Sequence, residues 1–260
     1  MEMNYQQIPI LTYHKISKNR EWGINTVSPK KFTEHLHFLK TENYTPINFR
    51  DLSKNELPSN PVIITFDDGY ESVFEHAYPA LSEFGFTAVV FVITGYIGKW
   101  NKWDANLGGI RFRHLNRQQI QELATNNLEI GTHGISHRAF TRLSSEEAGR
   151  ELLESKSTLE QITGQKIISM AYPFGIQNKD IQEQVKKTGY HFACVNLYGA
   201  SDKSNPFTIR RFPVYNTDSS SAFILKLIRG SRNKIEMTKL KILSSPAFLT
   251  PVYQKYIKRL

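Results

Sequence analysis

The sequence of 260 residues has a single cysteine, Cys194, so no disulfide can staple the chain to itself. At this length none is needed, because folding buries roughly 70 to 75% of the unfolded chain's surface. No apolar run approaches the ~20 residues that span a bilayer. A secretory opening is missing too, since Met1 to Gln7 is polar and runs directly into Ile8-Pro9-Ile10-Leu11. The chain as written is therefore expected in the cytoplasm, although a secreted form whose leader had been removed would read the same. With 40% hydrophobic and 22% charged residues and no internal repeat, the composition excludes a disordered or fibrous protein.

Acidic charge is scarce in one place only. Of the net charge of +9, the stretch from Lys226 to Leu260 carries +8, with nine basic residues against Glu236 alone, and the first 225 residues hold 24 basic and 23 acidic side chains. The body is nearly neutral, which argues against a nucleic-acid partner, because such enzymes place positive charge around the active site to hold phosphates. Two parts are expected: a catalytic domain over residues 1–225 and a basic tail over 226–260. The tail interleaves its cations with Ile228, Ile235, Leu240, Tyr253 and Ile257. That pattern suits helical segments packed on the body or peripheral contact with an anionic membrane surface, and Pro246 and Pro251 limit it to short segments.

Short β-branched runs alternate with amphipathic patterns along the rest of the chain, the order of an α/β fold with a parallel sheet or barrel. Strands are predicted at Ile8–Tyr13, Val62–Phe66, Phe86–Ile93, Leu128–Gly131, Ile167–Tyr172, His191–Val195 and Thr208–Val214. Ser28-Pro29 opens one helix with a capping hydroxyl before a proline, and Ser144 to Glu147 opens another as a capping box. The segment from Thr94 to Asn116 has two tryptophans and no periodicity, and is too long for an ordinary connection. It reads as a functional loop, with Trp100, Trp103 and Phe112 available to stack on pyranose faces.

Chemistry concentrates in two segments. The apolar run Val62 to Phe66 ends in Asp67-Asp68-Gly69, two carboxylates that are costly together unless something positive stands beside them. Gly131-Thr132-His133-Gly134-Ile135-Ser136-His137 also follows a predicted strand and sets two imidazoles four residues apart. A catalytic zinc takes three nitrogen or oxygen ligands and leaves a position for water. In zincin proteases a glutamate follows the first histidine and serves as base, but here that residue is Gly134. The aspartate pair offers one carboxylate to complete a metal site and another to activate water.

These segments resemble the polysaccharide deacetylases of carbohydrate esterase family 4, the NodB homology domain, with Thr65-Phe-Asp-Asp-Gly69 as the first motif and Thr132 to His137 as the second. The resemblance covers about residues 8–215. It implies a distorted (β/α) barrel of about seven parallel strands, with the site at the C-terminal strand ends. It also implies Asp67 as general base and Asp68, His133 and His137 as ligands of one divalent metal, zinc or else cobalt or nickel. Ala171-Tyr-Pro-Phe-Gly175 matches a third motif, implying an oxyanion donor in the Phe174 backbone N–H and a substrate wall in Tyr172 and Pro173. The arginine that many members carry at its start is Ala171 here, so whatever orients Asp67 is missing or substituted. The histidine motif near the end of the domain is absent as well, since that region reads Ile209-Arg-Arg-Phe-Pro-Val-Tyr215. Enzymes similar to the poly-β-1,6-N-acetylglucosamine deacetylases share these departures and take the histidine from a Tyr-His pair on the first strand, which implies His14 as general acid. The expected activity is hydrolysis of the N-acetyl group of an acetamido sugar in a polysaccharide, oligosaccharide or lipid-linked glycan. A metal-dependent amidase acting on a small non-sugar amide and a carbohydrate-binding pseudoenzyme stay open.

Overall fold

The computed structural model describes residues 5–18, 24–54, 56–102, 111–197, 202 and 204–228; Trp103 and the tail beyond residue 228 lie outside them. Six parallel strands form a continuous sheet: β1 (Ile10–Tyr13), β5 (Pro61–Phe66), β6 (Val89–Val92), β7 (Glu129–Thr132), β8 (Ser169–Ala171) and β9 (Phe192–Val195). The predicted strand Thr208–Val214 is split by Arg211 into β10 (Ile209–Arg210) and β11 (Phe212–Pro213). β10 pairs with β9 and β11 with β1, so one short run joins the two edges of the sheet and makes the seventh stave of a barrel. The strand β4 (Thr45–Ile47), unpredicted because it is short and has Pro46 at its centre, pairs with the first half of β5 on the edge that β6 takes over at Thr65. A small parallel pair, β2 (Lys15–Ile16) and β3 (Thr26–Val27), stands apart.

Alternation along the strands sorts side chains into two cores. Ile10, Ile63, Val89, Phe91, Ala171, Cys194 and Ile209 fill the barrel, and Phe49, following β4, plugs its lower end against Phe192 and Phe91. Leu11, Ile64, Val90, Val92, Met170 and Val195 point outward beneath the helices. Gly131 is required inside, because a Cβ there would meet the Phe91 ring at 2.6 Å.

Both predicted helix starts are present. Helix α1 (Pro29–Thr41) has the Ser28 hydroxyl accepting from the Lys31 N–H and buries Phe32, His35, Leu36 and Leu39 on one face. Helix α4 (Ser145–Thr163) has the capping box of Ser144 and Glu147 and ends at Gly164. A π-turn at Val73–Ala77 leads into α2 (Tyr78–Phe84), whose last turn accepts the Phe86 N–H, and this is why the predicted strand Phe86–Ile93 begins only at Val89. Helices α3 (Arg117–Thr125) and α5 (Lys179–Lys187) complete the outer layer. Helix α6 (Ser220–Leu227) crosses the expected domain boundary: Phe223 stacks on His35 at 3.9 Å, and Lys226, counted above among the tail cations, is buried against Asp218. None of the helices among the described residues is long and apolar enough to cross a membrane.

Candidate active site

At the C-terminal end of β5 the chain turns sharply through Asp68 (φ 70°) and Gly69 (φ 67°). A non-glycine residue in this left-handed region costs of order 1 kcal/mol and persists only where its surroundings over-determine it. The surroundings here come from the segment read as a loop. Residues 98–101 and 111–115 form an antiparallel ribbon, with Asn101 N–H donating to Phe112 (2.8 Å) and His114 N–H to Lys99 (2.9 Å). The ribbon is laced to the turn by Leu115 N–H to Gly69 O (2.9 Å) and Glu71 N–H to Arg113 O (2.8 Å). His114, buried and stacked on Tyr70, has its Nδ1 2.9 Å from the Asp68 carbonyl oxygen.

At the end of β7, His133 follows Thr132, and its Nδ1 lies 2.7 Å from the Ala171 carbonyl oxygen. The turn to His137 (φ 57°) is fixed from two sides. Thr94 and Gly95 donate their N–H groups to Gly134 and Ile135 at 3.0 and 2.9 Å, and a Cβ on Gly95 would strike the Ile135 carbonyl at 2.3 Å. From α4, the buried Glu151 carboxylate accepts from the Ile135 N–H (2.6 Å), the Ser136 N–H (3.1 Å) and the Ser136 hydroxyl.

Together these turns bring Asp68, His133 and His137 into one buried cluster, their ligand atoms all within 4.8 Å of one another. The separations are 3.3 Å between the two Nε2 atoms and 3.7 and 3.5 Å from the Asp68 Oδ1 to His133 and His137. Ligands on a tetrahedral centre at about 2.1 Å are roughly 3.4 Å apart, so the donors fit a small divalent ion. A proton on His133 Nδ1, bonded to Ala171, leaves the Nε2 lone pair facing the cluster. Burial pushes both imidazoles below their ordinary value, His137 well below it, and so keeps them neutral.

Asp67 does have an orienting partner, and it comes from the strand that closes the barrel. Arg211 donates through both terminal nitrogens to the two carboxylate oxygens, at 2.6 and 2.8 Å, and also to the Thr65 hydroxyl at 3.2 Å. The arginine absent at Ala171 is thus substituted by one 40 positions later in the chain. Burial alone would raise the Asp67 carboxyl, but Arg211, with help from His133 and His14, outweighs it and brings the value down to about 2. His14 follows β1 in the same electrostatic neighbourhood. Burial lowers it to about 4 against the pull of Asp67, with Lys15, Arg211 and His133 lowering it further.

Arg211 and Glu151 are the functional residues that sequence reasoning missed. Each left a trace: a charged pair inside an otherwise strand-like run, and an acid on the apolar face of α4 between Ala148 and Leu152.

Phe174 (φ 61°) does face the site, its ring 4.6 Å from that of His137 and its carbonyl oxygen accepting from Asn196 at 2.6 Å. Of the expected substrate wall, the Tyr172 ring is part of the core beneath the helices, and Pro173 is buried, as are the residues of the cluster itself. Phe112 is likewise packed against Tyr70 and Ile93, whereas Trp100 is 48% exposed.

The matching family model is that of polysaccharide deacetylases, over residues 54–193. The chain is 29% identical over 223 residues to a Bacillus subtilis protein bearing the name "Putative polysaccharide deacetylase YxkH", covering 84% of this chain and 75% of that one. It is 22% identical over 253 residues to a poly-beta-1,6-N-acetyl-D-glucosamine N-deacetylase of Staphylococcus aureus, covering 87% and 84%. The structure of the Streptococcus pyogenes deacetylase PplD in complex with acetate superposes with a TM-score of 0.73 at 25% identity, covering 85% of this chain and 97% of that one.

Proposed function

The chain belongs to the polysaccharide deacetylase family, and from that premise we propose that it hydrolyses the N-acetyl group of an acetamido sugar within a glycan, releasing acetate. One observation carries the reading: a donor set of Asp68, His133 and His137 shares a buried site with Asp67, a carboxylate kept ionised by the bidentate Arg211. A divalent ion held by those three residues, zinc before cobalt or nickel, supplies Lewis acidity and lowers the proton affinity of water.

The chain's own groups do the rest. Asp67 accepts the proton of the attacking water. Its value of about 2 keeps it ionised throughout the neutral range, and Arg211 holds both oxygens in fixed directions. The Phe174 N–H, set by a left-handed residue whose carbonyl Asn196 pins, donates to the developing oxyanion. His14, neutral at rest with its value near 4, receives from Asp67 the proton taken from the water and delivers it to the departing amine.

Acetate release tests the proposal. N-acetylglucosamine oligomers are offered to protein stripped by a chelator and then resupplied with zinc. Release that is lost on stripping and restored on resupply is expected. Full turnover in the stripped protein would refute the metal's role, and no release from any acetamido glycan would refute the activity.

A further inference from the structure

The ribbon that laces the Asp68 turn has two unlike faces. Its inward residues Asn101, Phe112 and His114 are buried, whereas Trp100, Lys102, Arg111 and Arg113 alternate with them and are exposed. Trp100 and Arg113 form a directly opposed pair in the ladder, which sets their side chains on one face, and the guanidinium carbon lies 5.8 Å from the indole centroid. Lys102 and Arg111 each stand two residues further along the same strands, so they share that face. None of these three cations pairs with a carboxylate among the described residues. The body of the chain is otherwise nearly neutral, so three cations and an aromatic ring on one face are a local concentration of charge. The same ribbon bonds to Gly69 and Glu71, within a few residues of the proposed base and ligand.

We propose that this face is a subsite for a negatively charged glycan: a pyranose stacks on Trp100 while anionic groups on neighbouring sugars, phosphodiester or carboxylate, pair with Lys102, Arg111 and Arg113. This rests on the deacetylase reading and names the class of substrate it takes. Clustered cations around an aromatic platform favour a chain that combines sugar faces with regularly spaced charge. A neutral N-acetylglucosamine polymer would use Trp100 and leave the three cations idle.

Zinc-loaded protein is assayed on N-acetylated oligosaccharides of equal length in three forms: neutral, phosphodiester-bearing and carboxylate-bearing. Binding to the zinc-loaded Asp67→Asn variant is measured in parallel. The anionic forms are expected to have a KM about tenfold lower than the neutral one, an advantage that shrinks with added salt. The triple variant Lys102→Ala, Arg111→Ala, Arg113→Ala should lose the advantage while keeping kcat and its KM for the neutral glycan. The two anionic arms show which group the subsite prefers. Equal KM for neutral and anionic glycans, a triple variant that weakens all forms alike, or tighter binding of a single-stranded RNA of equal charge would overturn the subsite. Charge-selective glycan binding without acetate release would overturn the deacetylase reading instead and leave the subsite standing.

Discussion

Two carboxylates are buried at opposite ends of one barrel, and the barrel treats them oppositely. Asp67, at the C-terminal end, faces the Arg211 guanidinium and is held down to about 2. Glu129, at the N-terminal end, accepts from the Ser169 hydroxyl at 2.5 Å and the Arg50 N–H at 3.0 Å, and the Arg50 charge lowers it from a distance without an ion pair among the described residues. Burial wins there, and the Glu129 value is raised. Depth is the same for both, so depth does not decide which carboxylate is ionised; a cation bonded to it does. The left-handed residues differ in kind between the ends. Asp68, His137 and Phe174 gather at the end that carries Asp67, whereas Asn43 and Asn127, before β4 and β7 at the other end, are asparagines, which adopt this region more readily.

The comparison breaks most severely if Arg211 is removed. Arg211→Met leaves Asp67 buried without its cation, and stability to urea should fall by about 3 to 5 kcal/mol. The further change Asp67→Asn should recover part of that loss, because an amide tolerates burial better than an unpaired charge. On the catalytic side, Asp67→Asn alone should keep its metal content by elemental analysis and lower acetate release by at least about 10². Glu151→Ala loosens the turn between His133 and His137 and should weaken zinc affinity by about 10- to 100-fold in a chelator competition, with far less effect from Glu151→Gln.

A pH series sharpens the contrast. Burial lowers His35, stacked on Phe223, to about 3. Because the folded value is depressed, the neutral ring's contribution is complete above the ordinary 6.5 and declines as pH falls toward 3, by at most about 1.4 kcal/mol per unit. Urea midpoints of His35→Phe should therefore vary less between pH 6.5 and 4 than those of the parent. Glu129 has the opposite sign: its raised value makes stability fall with rising pH above the ordinary 4.5. Glu129→Gln, whose amide can serve Ser169 while its oxygen keeps the Arg50 N–H, should remove that decline. It should change stability by less than about 1 kcal/mol at pH 5 and leave deacetylation unaltered.

The parts legible in the sequence were those whose cause is local. Val62 to Phe66 and Phe192 to Val195 are apolar runs that only a buried strand accommodates, and Ser28-Pro29 and the Ser144 capping box fix helix starts within four residues. The cluster of Asp68, His133 and His137 was legible because each motif is a contiguous run at a strand end. Arg211 was not, because its partner lies 144 positions away and only closure of the sheet brings them together. The direction of the Tyr172 ring was not legible, because a motif position says nothing about which way a ring turns; strand alternation sends it into the outer core. The ribbon of residues 98–101 and 111–115 was not legible, since its pairing is anchored on Gly69 and Glu71 rather than on its own pattern.

The handover at Arg211, where one short run leaves β9 and joins β1, orders the assembly of the site in time. During synthesis, the three side chains that would hold an ion have left the ribosome once His137 emerges, Glu151 and Ala171, which set the two imidazoles, follow, and Arg211 arrives 74 positions after His137. In an unfinished or unclosed chain Asp67 is therefore without the guanidinium that fixes the direction of its two oxygens. Under the deacetylase reading, closing the barrel and aiming its base are therefore one event.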